Sequence, residues 1–244
     1  MVGLFNTFIY EPIYNALALI VAVIPGGDVG IAIILLTVAI KLVLFPLSLV
    51  AIRTQVLMRE IDPELKRLKK ELADNREELA RRTMALLKEK KVNPFASIFL
   101  ILIQIPIILG LYFVFSLNGA GSGFDPSVLY SFVSVPGNAS FSFLGVVDLT
   151  GRSAIISVLV AVTQFYNARL MMPMTPQGEE GSIQHDLAKS MNVQMRYVFP
   201  IVMGVVAYVI SAAIALYFLV SNLFQLFQEL YVRRTNIRAE HDGN

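Results

Sequence analysis

The sequence predicts an all-α membrane protein with a five-span helical core, a cytoplasmic helical hairpin and an amphipathic N-terminal helix on the outer face. Three observations carry this. Hydrophobic residues make up 56% of the 244 positions, and the mean hydropathy is +0.66. Several stretches are apolar over the roughly 20 residues that a spanning helix needs. Basic residues crowd into a few segments between those stretches, so their placement says more about partners than the net charge of +2. The absence of cysteine excludes disulfides, thiolate metal sites and cysteine nucleophiles.

In chain order, residues 1–28 contain no Lys or Arg and carry only Glu11 and Asp28 as charges, which does not fit the basic start of a cleaved signal. Glu11-Pro12 is expected to break the apolar run 2–24 and leave 13–24 too short to cross. Pro25-Gly26-Gly27 then ends it. An interfacial amphipathic helix on the outer face is the preferred reading; a sixth span would leave everything downstream oriented as before. Residues 29–52 form the first span. Residues 53–92 change character, with 12 basic and 8 acidic residues between 53 and 91. Asp62-Pro63 looks like one helix start, and Asp74 with Glu77 has capping-box spacing for a second. Ile61, Leu65, Leu68 and Leu72 share a helical face, while Glu77/Arg81 and Glu78/Arg82 are i,i+4 pairs in the favourable order. This segment reads as a solvated helical hairpin with an apolar seam, which is compatible with a partner-binding role.

Asn93-Pro94 is expected to cap the second span, 93–117. The outer loop, 118–152, is rich in Gly, Ser and Pro. Its Phe124, Tyr130, Phe132, Phe141 and Phe143 point to contact with the bilayer interface. Asn138-Ala139-Ser140 fits a glycosylation sequon, to which no role is assigned. The third span is 153–171, followed by a cytoplasmic loop, 172–196. From Tyr197 to Gln228 there is no charge over 32 positions, about 48 Å of helix against a hydrocarbon core about 30 Å thick. Two spans, 197–212 and 213–232, with a turn at Ser211-Ala212-Ala213 solve that excess, although one long tilted helix is an alternative. A tail, 233–244, ends the chain.

Five spans beginning outside place residues 53–94, 172–196 and 233–244 in the cytoplasm. Twelve Lys/Arg then lie in the hairpin; Arg169, Lys189 and Arg196 lie in or beside the second inner loop, and Arg233, Arg234 and Arg238 in the tail. That is 18 of the 20 basic residues on one side, as the positive-inside rule requires.

Lys41 is the most informative single residue, about 12 residues from each end of its expected span. Twelve residues of helix rise about 18 Å, beyond the reach of a snorkelling side chain. A charge at such depth needs polar company, so a wet cavity is preferred over a neutral or defect-solvated lysine. Gln104 on the second span, Thr163, Gln164 and Asn167 on the third, and Ser221, Asn222 and Gln225 on the fifth are candidates for its lining. Each, taken singly, also fits interhelical glue. No carboxylate lies deep in a span, which weakens a proton-coupled transporter reading. His185 and His241 lie in cytoplasmic segments without partners in sequence, so no metal site is expected, nor any catalytic residue or cofactor. Met171, Met172, Met174, Met191 and Met195 flank the second cytoplasmic loop, as packing or as an adaptable apolar surface.

In sequence order, several motifs resemble the YidC/Oxa membrane protein insertase family over nearly the whole chain. Leu36-Thr37-Val38-Ala39-Ile40-Lys41-Leu42-Val43-Leu44-Phe45-Pro46-Leu47 resembles the family's first core span with its intramembrane basic residue. Ile61-Asp62-Pro63-Glu64-Leu65-Lys66 resembles the start of its cytoplasmic hairpin. Val92-Asn93-Pro94-Phe95 through Leu102-Ile103-Gln104-Ile105-Pro106-Ile107 resembles its second span. Gln194-Met195-Arg196-Tyr197-Val198-Phe199-Pro200-Ile201 and Leu216-Tyr217-Phe218-Leu219-Val220-Ser221-Asn222-Leu223 complete the series. The chain departs at Lys41, Leu100, Phe218 and Ser211-Ala212-Ala213, where Arg, Pro, Trp and Pro-Ala-Gly are usual. The large periplasmic domain of some members and a long basic tail are absent from this sequence.

The resemblance implies a groove open to cytoplasm and lipid, with Lys41 near its floor and Tyr217, Phe218 and Phe165 as client-contact candidates. It implies a monomer in the bacterial inner membrane acting on nascent membrane proteins, with the Sec translocon and ribosome as possible partners and no sequence-specific nucleic-acid recognition. A Sec-associated folding or assembly scaffold is the alternative. A small-solute transporter fits less well, because no inverted repeat is visible.

Overall fold

The computed structural model describes residues 2–73, 75–90, 92, 96–116, 123–171 and 190–242. Asp74, Asn93-Pro94, Met172, Met174, His185, Lys189 and most of the expected loop 172–196 lie outside them. The helices are α1 (Val2–Phe5), α2 (Glu11–Val23), α3 (Val29–Val43), α4 (Phe45–Glu60) and α5 (Asp62–Glu71). They continue with α6 (Arg76–Glu89), α7 (Ala96–Ser116), α8 (Ala154–Met171), α9 (Phe199–Val209) and α10 (Ala212–Asp242). A two-stranded antiparallel hairpin, β1 (Ser142–Phe143) with β2 (Val147–Asp148), sits between α7 and α8. By length and apolar composition, Gly3–Val23, Ser190–Val209 and Ala212–Arg234 are long enough to cross a membrane, and the bent pair α3–α4 makes a fourth candidate. Leu102–Phe115 and Ala154–Leu170 are shorter apolar helices. The molecule is an all-α membrane protein.

The expected break at Glu11-Pro12 does not occur. Between α1 and α2 the chain stays helical through a wide π-turn, Asn6–Tyr10, and the Glu11 N–H bonds the Asn6 carbonyl. A proline inside a regular helix removes a donor and clashes with the carbonyl four residues back. Here the wider turn shifts the bonding register first, and Pro12 falls in the opening turn of α2, where its missing N–H does no harm. Buried Ile13, Leu17, Ala18 and Val21 then pack this helix against α3 and α7.

The expected straight span 29–52 is bent by 65° between α3 and α4. Leu44, at φ −83° and ψ −2°, is the joint. Pro46 explains it, since it cannot donate to the ladder and restricts the residue before it. Lys41 consequently lies in the last turn of α3, just ahead of the bend, and not midway along one rod.

The apolar run after Tyr197 divides at Ile210-Ser211, where Ile210 is extended (φ −83°, ψ 176°). No Pro or Gly is needed, because the partners of α10's free N–H groups come from elsewhere in the chain. Ala212 N–H donates to the Gly151 carbonyl at 2.8 Å and Ala213 N–H to the Leu149 carbonyl at 3.1 Å. A helix end left without such partners would cost roughly 1–3 kcal/mol for each orphaned group. The fully buried Ala212, Ala213 and Ala215 permit that close approach.

The same loop stitches the opposite junction. Gly27 (φ +64°) lies so close to Asn138 that a Cβ would come within 2.1 Å of its carbonyl oxygen. Ser140 N–H bonds the Gly27 carbonyl, and Val29 N–H bonds the Ser140 carbonyl. Asp28 caps α3 through Gly30 and Ile31 N–H (2.7 and 3.1 Å) and also accepts Leu144 N–H at 2.7 Å. Tyr14 accepts a bond from Asp125 N–H, while Asn15 bonds the Val128 carbonyl and Tyr130 N–H. One loop thus ties the α2–α3 junction to the α9–α10 turn.

In the hairpin, two expected caps are displaced. Ile61 stays helical, so Asp62 lies in the first turn of α5 and pairs with Lys66 at 2.7 Å. Asn75 caps α6 by accepting Glu78 N–H at 3.0 Å. Ile61 packs with Leu87 and Val92, joined by Leu57, Met58 and Leu65, so the apolar seam is tightest at the hairpin's base. Arg81 and Arg82 both bind Glu78 at 2.9 Å and hold its carboxyl at a pKa of about 2.

Candidate functional site: a polar bridge at Lys41

Three helices meet at Lys41. It belongs to α3, Gln104 to α7 and Tyr217 to α10. The Lys41 Nζ donates to Gln104 Oε1 at 3.2 Å, and Gln104 Nε2 donates to the Tyr217 hydroxyl. Ser221, one turn further along α10, neighbours that hydroxyl. Tyr217 is fully buried at 1% exposure, whereas Lys41 and Gln104 are half-buried. The phenol therefore anchors the amide, and the amide presents its oxygen to the ammonium. A neutral carbonyl satisfies the donor without placing an opposite charge beside it.

Three of the remaining sequence candidates form a second group. Asn167 Nδ2 on α8 donates to the Asn222 carbonyl on α10 at 3.1 Å, and Asn222 Nδ2 donates to Thr163 Oγ1 at 3.2 Å. Thr163 also bonds the Leu159 and Val160 carbonyls of its own helix. These three side chains are buried and bind α8 to α10, the role of interhelical glue. Gln164 is half-buried on α8. Phe165 is half-buried with its ring 5.8 Å from Tyr197, and Phe218 is half-buried with its ring 5.8 Å from Tyr217. The structure therefore joins Lys41 to Gln104 and Tyr217, and separates them from the Thr163–Asn167–Asn222 group.

A third polar group closes the far end of α10. Arg233 bonds buried Glu229 at 2.9 Å and also donates to the Leu170 carbonyl at the end of α8. Gln228 Nε2 donates to Ser48 Oγ on α4 at 2.6 Å. Sequence reading missed the bridging role of Tyr217, the double duty of Asp28 and the Arg233 clamp. Asp28 carried a local signal, an N-cap residue standing between Pro-Gly-Gly and an apolar run, and Glu229 with Arg233 has the favourable i,i+4 order.

A bundle of apolar helices with a lysine held among them defines a multi-pass membrane protein with a polar site inside its apolar core. The family model described as 60Kd inner membrane protein matches residues 20–240, and the chain belongs to that family, a group of bacterial inner-membrane proteins. Among its relatives is a membrane protein insertase YidC of Clostridium tetani, 30% identical over 90% of this chain and 87% of the relative. Another, from Clostridium acetobutylicum, is 36% identical over 88% of this chain and 78% of its own. The membrane protein insertase MisCA of Bacillus subtilis is 29% identical over 89% and 75% respectively.

Proposed function

We propose that this protein inserts other proteins into the membrane and that Lys41 is the groove charge that draws a client's hydrophilic tail inward. The observation that carries the reading is the bridge from Lys41 through Gln104 to Tyr217, which holds an ammonium on a neutral oxygen where three helices meet. A polar groove lowers the cost of moving a short hydrophilic segment, because its groups stay hydrated over part of the path. The client's apolar segment then leaves past Phe218 and Phe165 into lipid, and its burial supplies about 25 cal/mol per Å². No nucleotide is needed for that step.

The orientation we propose places the chain's start outside and its end in the cytoplasm. The spans are 29–52, 93–117, 153–171, 197–212 and 213–232, the hairpin 53–92 is cytoplasmic, and 118–152 lies outside. The 18 basic residues assigned to the inner side support it. Residues 1–28 belong at the outer face. Tyr14 and Asn15, midway along the N-terminal helix, bond the 125–130 loop, which a helix standing across the bilayer would hold at mid-membrane depth.

Proteoliposomes containing only this protein, supplied with a single-span client bearing a short acidic outer tail, test the function. Protease protection of the tail above that in empty liposomes is the expected result. Protection only when a Sec translocon is present would replace the reading with a scaffold acting beside it.

A further inference from the structure

We infer that the tip of the β1–β2 hairpin is a lipid anchor, with Leu144 and Val146 inserted into the leaflet beside the first turn of α3. Along the hairpin the side chains divide. Phe143 and Val147 pack on the core, while Leu144 and Val146 turn away at 65% and 83% exposure. Positive φ in a hairpin turn suits Gly, Asn or Asp. Here the loop between paired Phe143 and Val147 is Leu144-Gly145-Val146, with Leu144 at φ 51° and Gly145 at φ 70°. Leu144 is the one non-glycine residue with positive φ among the described residues. An apolar side chain thus occupies a position that backbone preference and water both disfavour, as is expected where another demand prevails.

The hairpin's position identifies that demand. Its turn is fixed to the start of α3, because Asp28 accepts Leu144 N–H through one carboxylate oxygen and the N–H groups of Gly30 and Ile31 through the other. The Phe143 ring fills the space over Gly30, where a Cβ would come within 2.3 Å of it. The tip therefore stands level with the point where the chain enters its apolar run, the boundary between water and hydrocarbon. Two apolar side chains at that height find lipid directly. They offer far less area than a stable contact with a second protein would bury.

The sequence contains no tryptophan, so one introduced residue reports without background. Leu144→Trp, and separately Val146→Trp, placed in vesicles should show blue-shifted emission. Quenching by lipids brominated in their acyl chains should be several-fold stronger than for a Glu77→Trp reference on the exposed face of α6, with weaker quenching by acrylamide. The Val146 position has no positive φ, so the test survives if the bulkier ring at Leu144 disturbs the turn. Red-shifted emission quenched by acrylamide at both positions would overturn the anchor. Protection from both quenchers would overturn it too, because a protein would then cover the tip.

Discussion

At Gln104 a single amide serves two neighbours, its oxygen holding the Lys41 ammonium and its nitrogen bonded to the Tyr217 phenol. Gln104→Leu keeps the volume but leaves both partners unsatisfied. It should cost about 2–4 kcal/mol in detergent unfolding and slow insertion of an acidic-tailed client. Tyr217→Phe keeps the buried ring and loses only its hydroxyl, so it should cost about 1 kcal/mol and slow insertion less. Equal stability of all three proteins would show that the bridge does not form. Asp28→Ala removes an N-cap and the acceptor of Leu144 N–H together. A loss of about 2–3 kcal/mol is expected in the same measurement, with Asp28→Asn recovering part of it. Lys41 and Gln104 were legible in the sequence because polar groups deep in apolar runs are conspicuous. Tyr217 was singled out only through the family resemblance, as a client contact; its bridging role was not legible, because its hydroxyl finds a partner 113 residues away.

Helices, too, differed in how plainly the sequence announced them. Apolar length marked the stretches that fold as apolar helices, although it passed over Gly3–Val23, which stays helical and is long enough to cross a membrane, and the joints depended on distant partners. Pro46 bends α3 from α4, whereas Pro12 leaves its helix unbroken because a wide turn precedes it. The α9–α10 turn has no local breaker, since Leu149 and Gly151 supply its acceptors from the loop before α8. Among the candidate lining residues, Thr163, Asn167 and Asn222 bind α8 to α10 instead of joining Lys41. Residue type alone does not distinguish glue from groove.

The α5–α6 hairpin yields a prediction at this scale. Glu78 is held at a pKa of about 2, below its usual value of 4.5, chiefly by hydrogen bonds from Arg81 and Arg82. A depressed carboxyl contributes stability that is present above the unfolded pKa and disappears as pH falls through the folded one. The Glu78 pairs should therefore persist at neutral pH and be lost between about pH 4.5 and about 2. A carboxyl titration followed by NMR checks this, and a Glu78 midpoint near 4.5 would contradict it.

For the molecule as a whole, the 123–153 loop bonds the starts of α3 and α10, the Arg233 clamp ties α10 to the end of α8, and the Lys41 bridge joins α3, α7 and α10. Such an arrangement keeps a lysine at a fixed place within an apolar bundle and leaves its charge without a carboxylate partner in the bridge. In the mechanism we propose, that charge and the lipid partitioning of the client together drive insertion. The most direct measurement compares wild type, Lys41→Arg and Lys41→Ala in proteoliposomes, using one client with a short acidic tail and the same client with the tail neutralised. The account predicts that Lys41→Arg retains insertion of the acidic-tailed client, that Lys41→Ala loses most of it, and that the neutral tail narrows the difference. Equal insertion by all three proteins would contradict the attraction of the tail by Lys41.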